Sequence, residues 1–173
     1  MPQASMNFDL ADSSVTDAMG QGLARSIPSG VHTGAGAVVY LRGELGAGKT
    51  SCVRSLLRTL GARGPVRSPT YTLVETYNLG SLTCVHVDLY RVQTLTEVDE
   101  LGLRDVIGPG CLLLVEWPER GASALPPAVV DLLLRYADDG RQACLNARTP
   151  LGALWMENLG HDTSLTPYVS NLT

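Results

Sequence analysis

A chain of 173 residues, 45% apolar and 17% charged, has the composition of one soluble globular domain with a sizeable core. Its formal net charge of −4 argues against a sequence-independent nucleic-acid binder, so any dealing with RNA would run through a partner or a local arginine patch. No stretch approaches the roughly 18 apolar residues of a membrane span, and the start, MPQASMNFDLADSS, lacks the charged and apolar regions of a secretory signal; a cytoplasmic location is expected.

In chain order, Ser14 to Ile27 reads as a helix, with Ser14 and Asp17 placed as a capping box. AVVYLRG, Ala37 to Gly43, is a short apolar run that predicts a buried strand. A second helix is expected from about Gly48 to Leu60, where Gly61 supplies the stop. TYTLVETY (Thr70 to Tyr77) and LTCVHVDLY (Leu82 to Tyr90) read as a β-hairpin linked by Asn78 to Ser81. Thr94 and Glu97 form a second capping box, opening a short helix through Leu101. CLLLVE, Cys111 to Glu116, is a buried strand, and AVVDLLLRY with QACLNAR predicts an antiparallel pair turning at Asp138, Asp139 and Gly140. The expected fold is α/β, a mixed parallel and antiparallel sheet flanked by helices. Residues 1–150 are expected to form the main domain. Residues 151–173 form a tail, a short helix plus an irregular segment, with Leu151, Leu154, Trp155 and Leu159 on one helical face. Cys52, Cys84, Cys111 and Cys144 include no C-x-x-C pair and read as thiols of a reducing compartment, three of them in apolar stretches.

GELGAGKTS, Gly43 to Ser51, contains the only lysine of the chain among twelve arginines. Gly43, Gly48, Lys49 and Thr50 satisfy G-x-x-x-x-G-K-[ST], the phosphate-binding loop, and a strand precedes it while a helix follows. Glycines let the backbone turn its N–H groups around phosphates, and the helix points its positive end at the same anion. The lysine reaches the β- and γ-phosphates as a compact charge, which a broad guanidinium does not reproduce. Thr50 offers a hydroxyl to Mg²⁺. Such a loop needs acids for the metal and for the attacking group, and two predicted strands each end on one, Asp88 and Glu116. Glu116 is the stronger metal candidate because its strand reads as central; the separate role of Asp88, with water or behind the metal, stays open.

Together GELGAGKTS, RSPTYTLVETY, HVDLYRV and VEWPER resemble, in order and spacing, the TsaE (YjeE) family of bacterial ATPases, over roughly Phe8 to Arg148. The resemblance implies a P-loop NTPase-like fold, ATP and Mg²⁺ as cofactors, and slow ATP hydrolysis in tRNA threonylcarbamoyladenosine biosynthesis. It also implies assembly with a TsaD–TsaB-type heterodimer that modifies the adenosine next to the anticodon, tRNA being met only through that complex and no membrane being involved. Carried over by motif, Lys49, Asp88 and Glu116 are catalytic. Glu44, Leu45, Gly46, Ala47, Gly48, Lys49, Thr50, Ser51 and Trp117 bind ATP, and Thr50 and Glu116 bind Mg²⁺. Ser68, Pro69, Thr70 and Tyr71 form a switch-like loop sensing the γ-phosphate; Arg67 stands where the family commonly has lysine.

Other readings stand beside these. A small-molecule kinase would share the loop, but no arginine cluster stands out after Arg120 as a lid. A GTP-dependent switch is disfavoured, because an N-K-x-D guanine reader cannot exist with Lys49 as sole lysine. Pro69 alone reads as a break before a strand and Trp117 as core packing, while Tyr90 and Arg91 read equally as a surface pair or as facing a partner or the phosphates. His86 reads as structural, since alternation puts it opposite Val85 and Val87. His32 and His161 receive no role.

Overall fold

The computed structural model describes residues 4–171. The elements run β1 (Ser5–Leu10), α1 (Ser13–Arg25), α2 (Ser29–Thr33), β2 (Ala37–Arg42), α3 (Lys49–Thr59), β3 (Val74–Leu79), β4 (Leu82–Asp88), α4 (Leu95–Glu100), α5 (Leu103–Val106), β5 (Cys111–Glu116), β6 (Val130–Ala137), β7 (Gly140–Ala147), α6 (Pro150–Gly160) and β8 (Val169–Asn171). One eight-stranded sheet carries them in the order β3-β4-β5-β2-β6-β7-β1-β8. The four strands β4, β5, β2 and β6 are mutually parallel, and antiparallel strands extend both edges. This is the mixed α/β sheet expected from the sequence. Among the described residues no helix is long and apolar enough to cross a membrane.

Alternation sorts the sheet into two apolar layers. Val39 and Leu41 of β2, Leu112 and Leu114 of β5 and Leu132 and Leu134 of β6 point to one face, where α1, α3 and α6 pack through Met19, Leu23, Leu56, Leu57 and Trp155. Val38, Val85, Val87, Leu113 and Val115 point to the other and meet Val98 and Leu103 of α4 and α5. Each such leucine or valine, removed from water, contributes about 1.5–3 kcal/mol. Helices α1 and α3 approach closely at Gly20, where a Cβ would lie 2.2 Å from the Cys52 carbonyl oxygen. A side chain there would push away the helix that begins at Lys49. Cys52, Cys84 and Cys111 are buried, and burial raises their thiol pKa values, those of Cys52 and Cys84 to about 12, so these groups stay protonated.

Several local expectations need correction. Helix α1 starts one residue earlier than read, and its cap is Asp12, whose Oδ1 accepts from the backbone N–H of Ser14 (2.8 Å) and Val15 (3.2 Å); it ends at Arg25 rather than Ile27. Thr70 to Leu73 are not strand. The Pro69 carbonyl accepts the Leu73 N–H at 2.8 Å, Leu73 takes a positive φ of 62°, and β3 begins only at Val74. The hairpin link shortens to Gly80 and Ser81, with Leu79 opposite Leu82. The Thr94–Glu97 capping box is present in full. Strands β1 and β8 and helices α2 and α5 had no counterpart in the sequence reading.

In α6, Gly152, Trp155, Met156 and Leu159 face inward, whereas Leu154 is exposed. The Trp155 Nε1–H donates to the Leu23 carbonyl (3.0 Å) and the Ser26 hydroxyl (3.1 Å), and Arg25 pairs with Asp162 at 2.8 Å. The chain then returns as β8 beside β1, so residues after Pro150 share the core and the sheet.

Candidate nucleotide site

Between β2 and α3 the chain turns through Gly43, Gly46 and Gly48, all at positive φ (138°, 77° and 109°), a region that side-chain-bearing residues rarely enter. Gly48 caps α3 in the left-handed conformation, which leaves the first N–H groups of that helix pointing out of the loop. The β6–β7 hairpin braces the turn: Tyr136 Oη donates to the Leu45 carbonyl at 2.9 Å, and Arg141 Nη2 donates to the Gly46 carbonyl at 3.1 Å. Ala47 buries its methyl in the core and anchors the loop from beneath.

Lys49 opens α3 and is 4% exposed. Its Nζ donates to the carbonyls of Gly43 (2.6 Å) and Glu44 (2.8 Å) and lies 4.2 Å from the Trp117 ring centroid. Burial lowers its pKa, and the charges of Glu116, Asp88 and Glu119 oppose that shift. Trp117 follows β5 at φ 58°, a strained position for a residue with a side chain, and its ring packs 4.9 Å from that of Tyr90.

The two acids arrive from adjacent parallel strands, Asp88 directly opposite Glu116 in the register. Period two places His86, Asp88 and Glu116 on the face that α3 covers. Thr50 Oγ1 lies 2.9 Å from both carboxylate oxygens of Glu116, and His86 Nε2 lies 2.8 Å from Glu116 Oε1. Asp88 accepts the Ser68 hydroxyl at Oδ2 and the Tyr90 N–H at Oδ1 (3.0 Å). Thr70 Oγ1 donates within the same turn to the Ser68 carbonyl at 3.3 Å. Residues 68–71 therefore sit over the acids, held outside the sheet by the Pro69–Leu73 turn. Tyr71 is 86% exposed, its ring 4.8 Å from the Arg91 guanidinium carbon.

These groups surround one cleft of about 430 Å³. Leu45, Gly46, Gly48, Lys49, Thr50, Ser51, Ser68, Thr70, Asp88, Glu116 and Trp117, all singled out from the sequence, line it. Glu44, Ala47, Pro69 and Tyr71 do not; Glu44 and Pro69 act through their carbonyls. Ser13 and Arg141 line it without having been singled out, and Tyr90 and Arg91, which read equally as a surface pair or as facing a partner or the phosphates, line it as well. His86 lies, as its alternation implied, opposite Val85 and Val87, on the face that bears Asp88 and Glu116, where it meets Glu116. A helix N-terminus, an ammonium and two strand-end carboxylates converge here, an anion seat beside a cation seat.

Strand, glycine turn and helix in this arrangement define a P-loop NTPase-like α/β protein. The family model of "Threonylcarbamoyl adenosine biosynthesis protein TsaE" matches residues 10–143. A Haemophilus influenzae protein described as tRNA threonylcarbamoyladenosine biosynthesis protein TsaE is 43% identical over 122 residues, 70% of this chain and 77% of the relative. A Synechocystis protein of the same description is 43% identical over 124 residues, 69% and 74% of the two chains. The crystal structure of Bacillus subtilis YdiB superposes with a TM-score of 0.72 at 25% identity, covering 92% of this chain and 97% of that one. The chain belongs to the TsaE family, whose members serve tRNA threonylcarbamoyladenosine biosynthesis.

Proposed function

We propose that this protein binds ATP with Mg²⁺ in the cleft and hydrolyses it slowly, as the nucleotide-consuming partner of a TsaD–TsaB-type heterodimer that modifies the adenosine next to the anticodon. The observation that carries the reading is the meeting of Thr50 and Glu116, 66 positions apart in sequence, at 2.9 Å beside Lys49. An octahedral Mg²⁺ with ligands at about 2.0–2.1 Å separates neighbouring oxygens by about 2.9 Å, so these two groups fit as adjacent ligands. Among the described residues no group of three or more His, Cys, Asp or Glu is arranged to hold a metal by itself. Phosphate oxygens and water would complete the shell, the usual manner for Mg²⁺ in nucleotide sites. Held by Thr50 and Glu116, such an ion would supply positive charge to offset that developing on the phosphates.

The chain's own residues do the rest. Loop N–H groups from Gly46 to Ser51 take the phosphates, and Lys49 exchanges its two carbonyl partners for phosphate oxygens. Asp88, an acceptor facing the same cleft, orients the attacking water and receives its hydrogen bond. Its existing bond to Ser68 ties residues 68–71 to whatever Asp88 engages.

Tryptophan fluorescence tests binding. ATP is expected to change the emission of the wild type, and Trp117→Phe to abolish that response, because Trp155 is 1% exposed and hydrogen-bonded between α1 and α6. A Trp117→Phe protein that still responds fully would move the reporter to α6 and count against nucleotide binding in this cleft.

A further inference from the structure

We propose that His86 is a positioning residue for Glu116, and through it sets the affinity of the site for Mg²⁺; this rests on the reading of Glu116 as a metal ligand. His86 is completely buried and Glu116 is 2% exposed. Their 2.8 Å contact joins the adjacent parallel strands β4 and β5 through side chains. A carboxylate oxygen accepts, so the imidazole donates from Nε2, which leaves Nδ1 as the second ring nitrogen to be satisfied. That Nδ1 is buried with no partner. A histidine kept for packing or for bridging would satisfy both nitrogens, and valine or leucine would fill this place beside Cys84 and Leu114 without an orphaned polar atom. The hydrogen bond that His86 does make is the one to Glu116 Oε1.

That hold has a consequence for the cation. Thr50 Oγ1 is equidistant, at 2.9 Å, from the two carboxylate oxygens and does not choose between them. Thr50 has lone pairs for a metal while its proton stays on Glu116, but a proton shared by both oxygens leaves the carboxylate free to rock between them. Among the described residues His86 is the one side chain that holds a single Glu116 oxygen, Oε1, and so fixes the plane of the carboxylate. Hydrogen bonds of this kind behind a ligand commonly govern metal affinity by about 10- to 100-fold.

The test compares His86→Leu and His86→Gln with the wild type, titrating ATP by calorimetry at graded Mg²⁺ and again in chelator. His86→Leu is expected to raise the Mg²⁺ concentration for half-maximal effect by about 10- to 100-fold, with ATP affinity in chelator unchanged. His86→Gln, whose amide N–H can reach Oε1, is expected to recover most of the loss. Should the leucine variant unfold, His86→Asn, polar but too short to reach Oε1, takes its place and is expected to behave as the leucine variant would. A folded His86→Leu or His86→Asn protein with wild-type Mg²⁺ dependence overturns the proposal, as does a glutamine variant no better than they are. Glu116→Gln, run alongside, separates the levels. If it also leaves the Mg²⁺ dependence intact, the assignment of Glu116 as metal ligand fails and the role of His86 falls with it; if it abolishes the dependence while the His86 variants do not, only the proposal for His86 fails.

Discussion

Lys49→Ala is expected to lower ATP turnover by about 10²–10³-fold, the usual cost of removing one preorganised donor from a site where charge develops, and to weaken ATP binding in calorimetry. Lys49→Arg is expected to fail almost as badly. The pocket around Nζ is enclosed, with carbonyls at 2.6 and 2.8 Å and an indole ring 4.2 Å away, and a planar guanidinium with its donors spread over a fork does not fit the space of one ammonium. Charge alone would be conserved in that variant; shape would not. An arginine variant with wild-type turnover would show that the loop needs a cation of any shape, and would remove the physical reason for a single lysine in a chain of twelve arginines.

The second large effect divides the two acids. Glu116→Gln keeps size and hydrogen-bonding capacity but removes the charge that faces Thr50, and is expected to raise the Mg²⁺ needed for tight ATP binding by more than about tenfold. Asp88→Asn is expected to leave the Mg²⁺ dependence close to wild type and to lower turnover instead, since Asp88 contacts Ser68 and the Tyr90 N–H rather than Thr50. Titrations of ATP against Mg²⁺, read beside steady-state phosphate release, give both quantities. The reverse order would exchange the roles of the two strands.

Much of this site was legible because its chemistry is concentrated in short segments. A glycine turn fixed by positive φ, a lysine at a helix start and acids after unbroken apolar runs are local features, and β5, buried throughout, could only be a central strand. What escaped was set by tertiary context. SMNFDL in β1 alternates cleanly, with Met6, Phe8 and Leu10 inward, but pairs with β7, more than a hundred residues away, and no neighbouring turn announces it. TYTL has the composition of a strand, yet the turn closed by the Pro69 carbonyl overrides propensity and frees the segment to sit over Asp88. Leu154 was placed on the inner face of α6 because it is apolar; the helix instead docks through Gly152, whose Cβ would lie 2.1 Å from the Val129 carbonyl oxygen, and that close approach rotates Leu154 outward. The contact of His86 with Glu116 escaped for the same reason. Alternation along one strand assigns a face, and only the register with β5 tells what that face holds.

If ATP is consumed in partnership with a TsaD–TsaB-type heterodimer, as proposed, its binding is expected to be coupled to assembly, with the Ser68–Thr70 turn, tied to Asp88, as the sensor. A ligand shifts an assembly only through its different affinity for free and partnered protein, and the coupling is reciprocal. The most direct measurement is calorimetry of ATP with Mg²⁺ against this protein alone and against its complex with the TsaD–TsaB-type heterodimer, in the wild type and in Thr70→Ala. Tighter ATP binding is expected in the complex, by the same factor by which ATP tightens the partners, with loss of most of that coupling in Thr70→Ala and ATP affinity of the free protein little changed. Equal ATP affinities with and without the partners would contradict it.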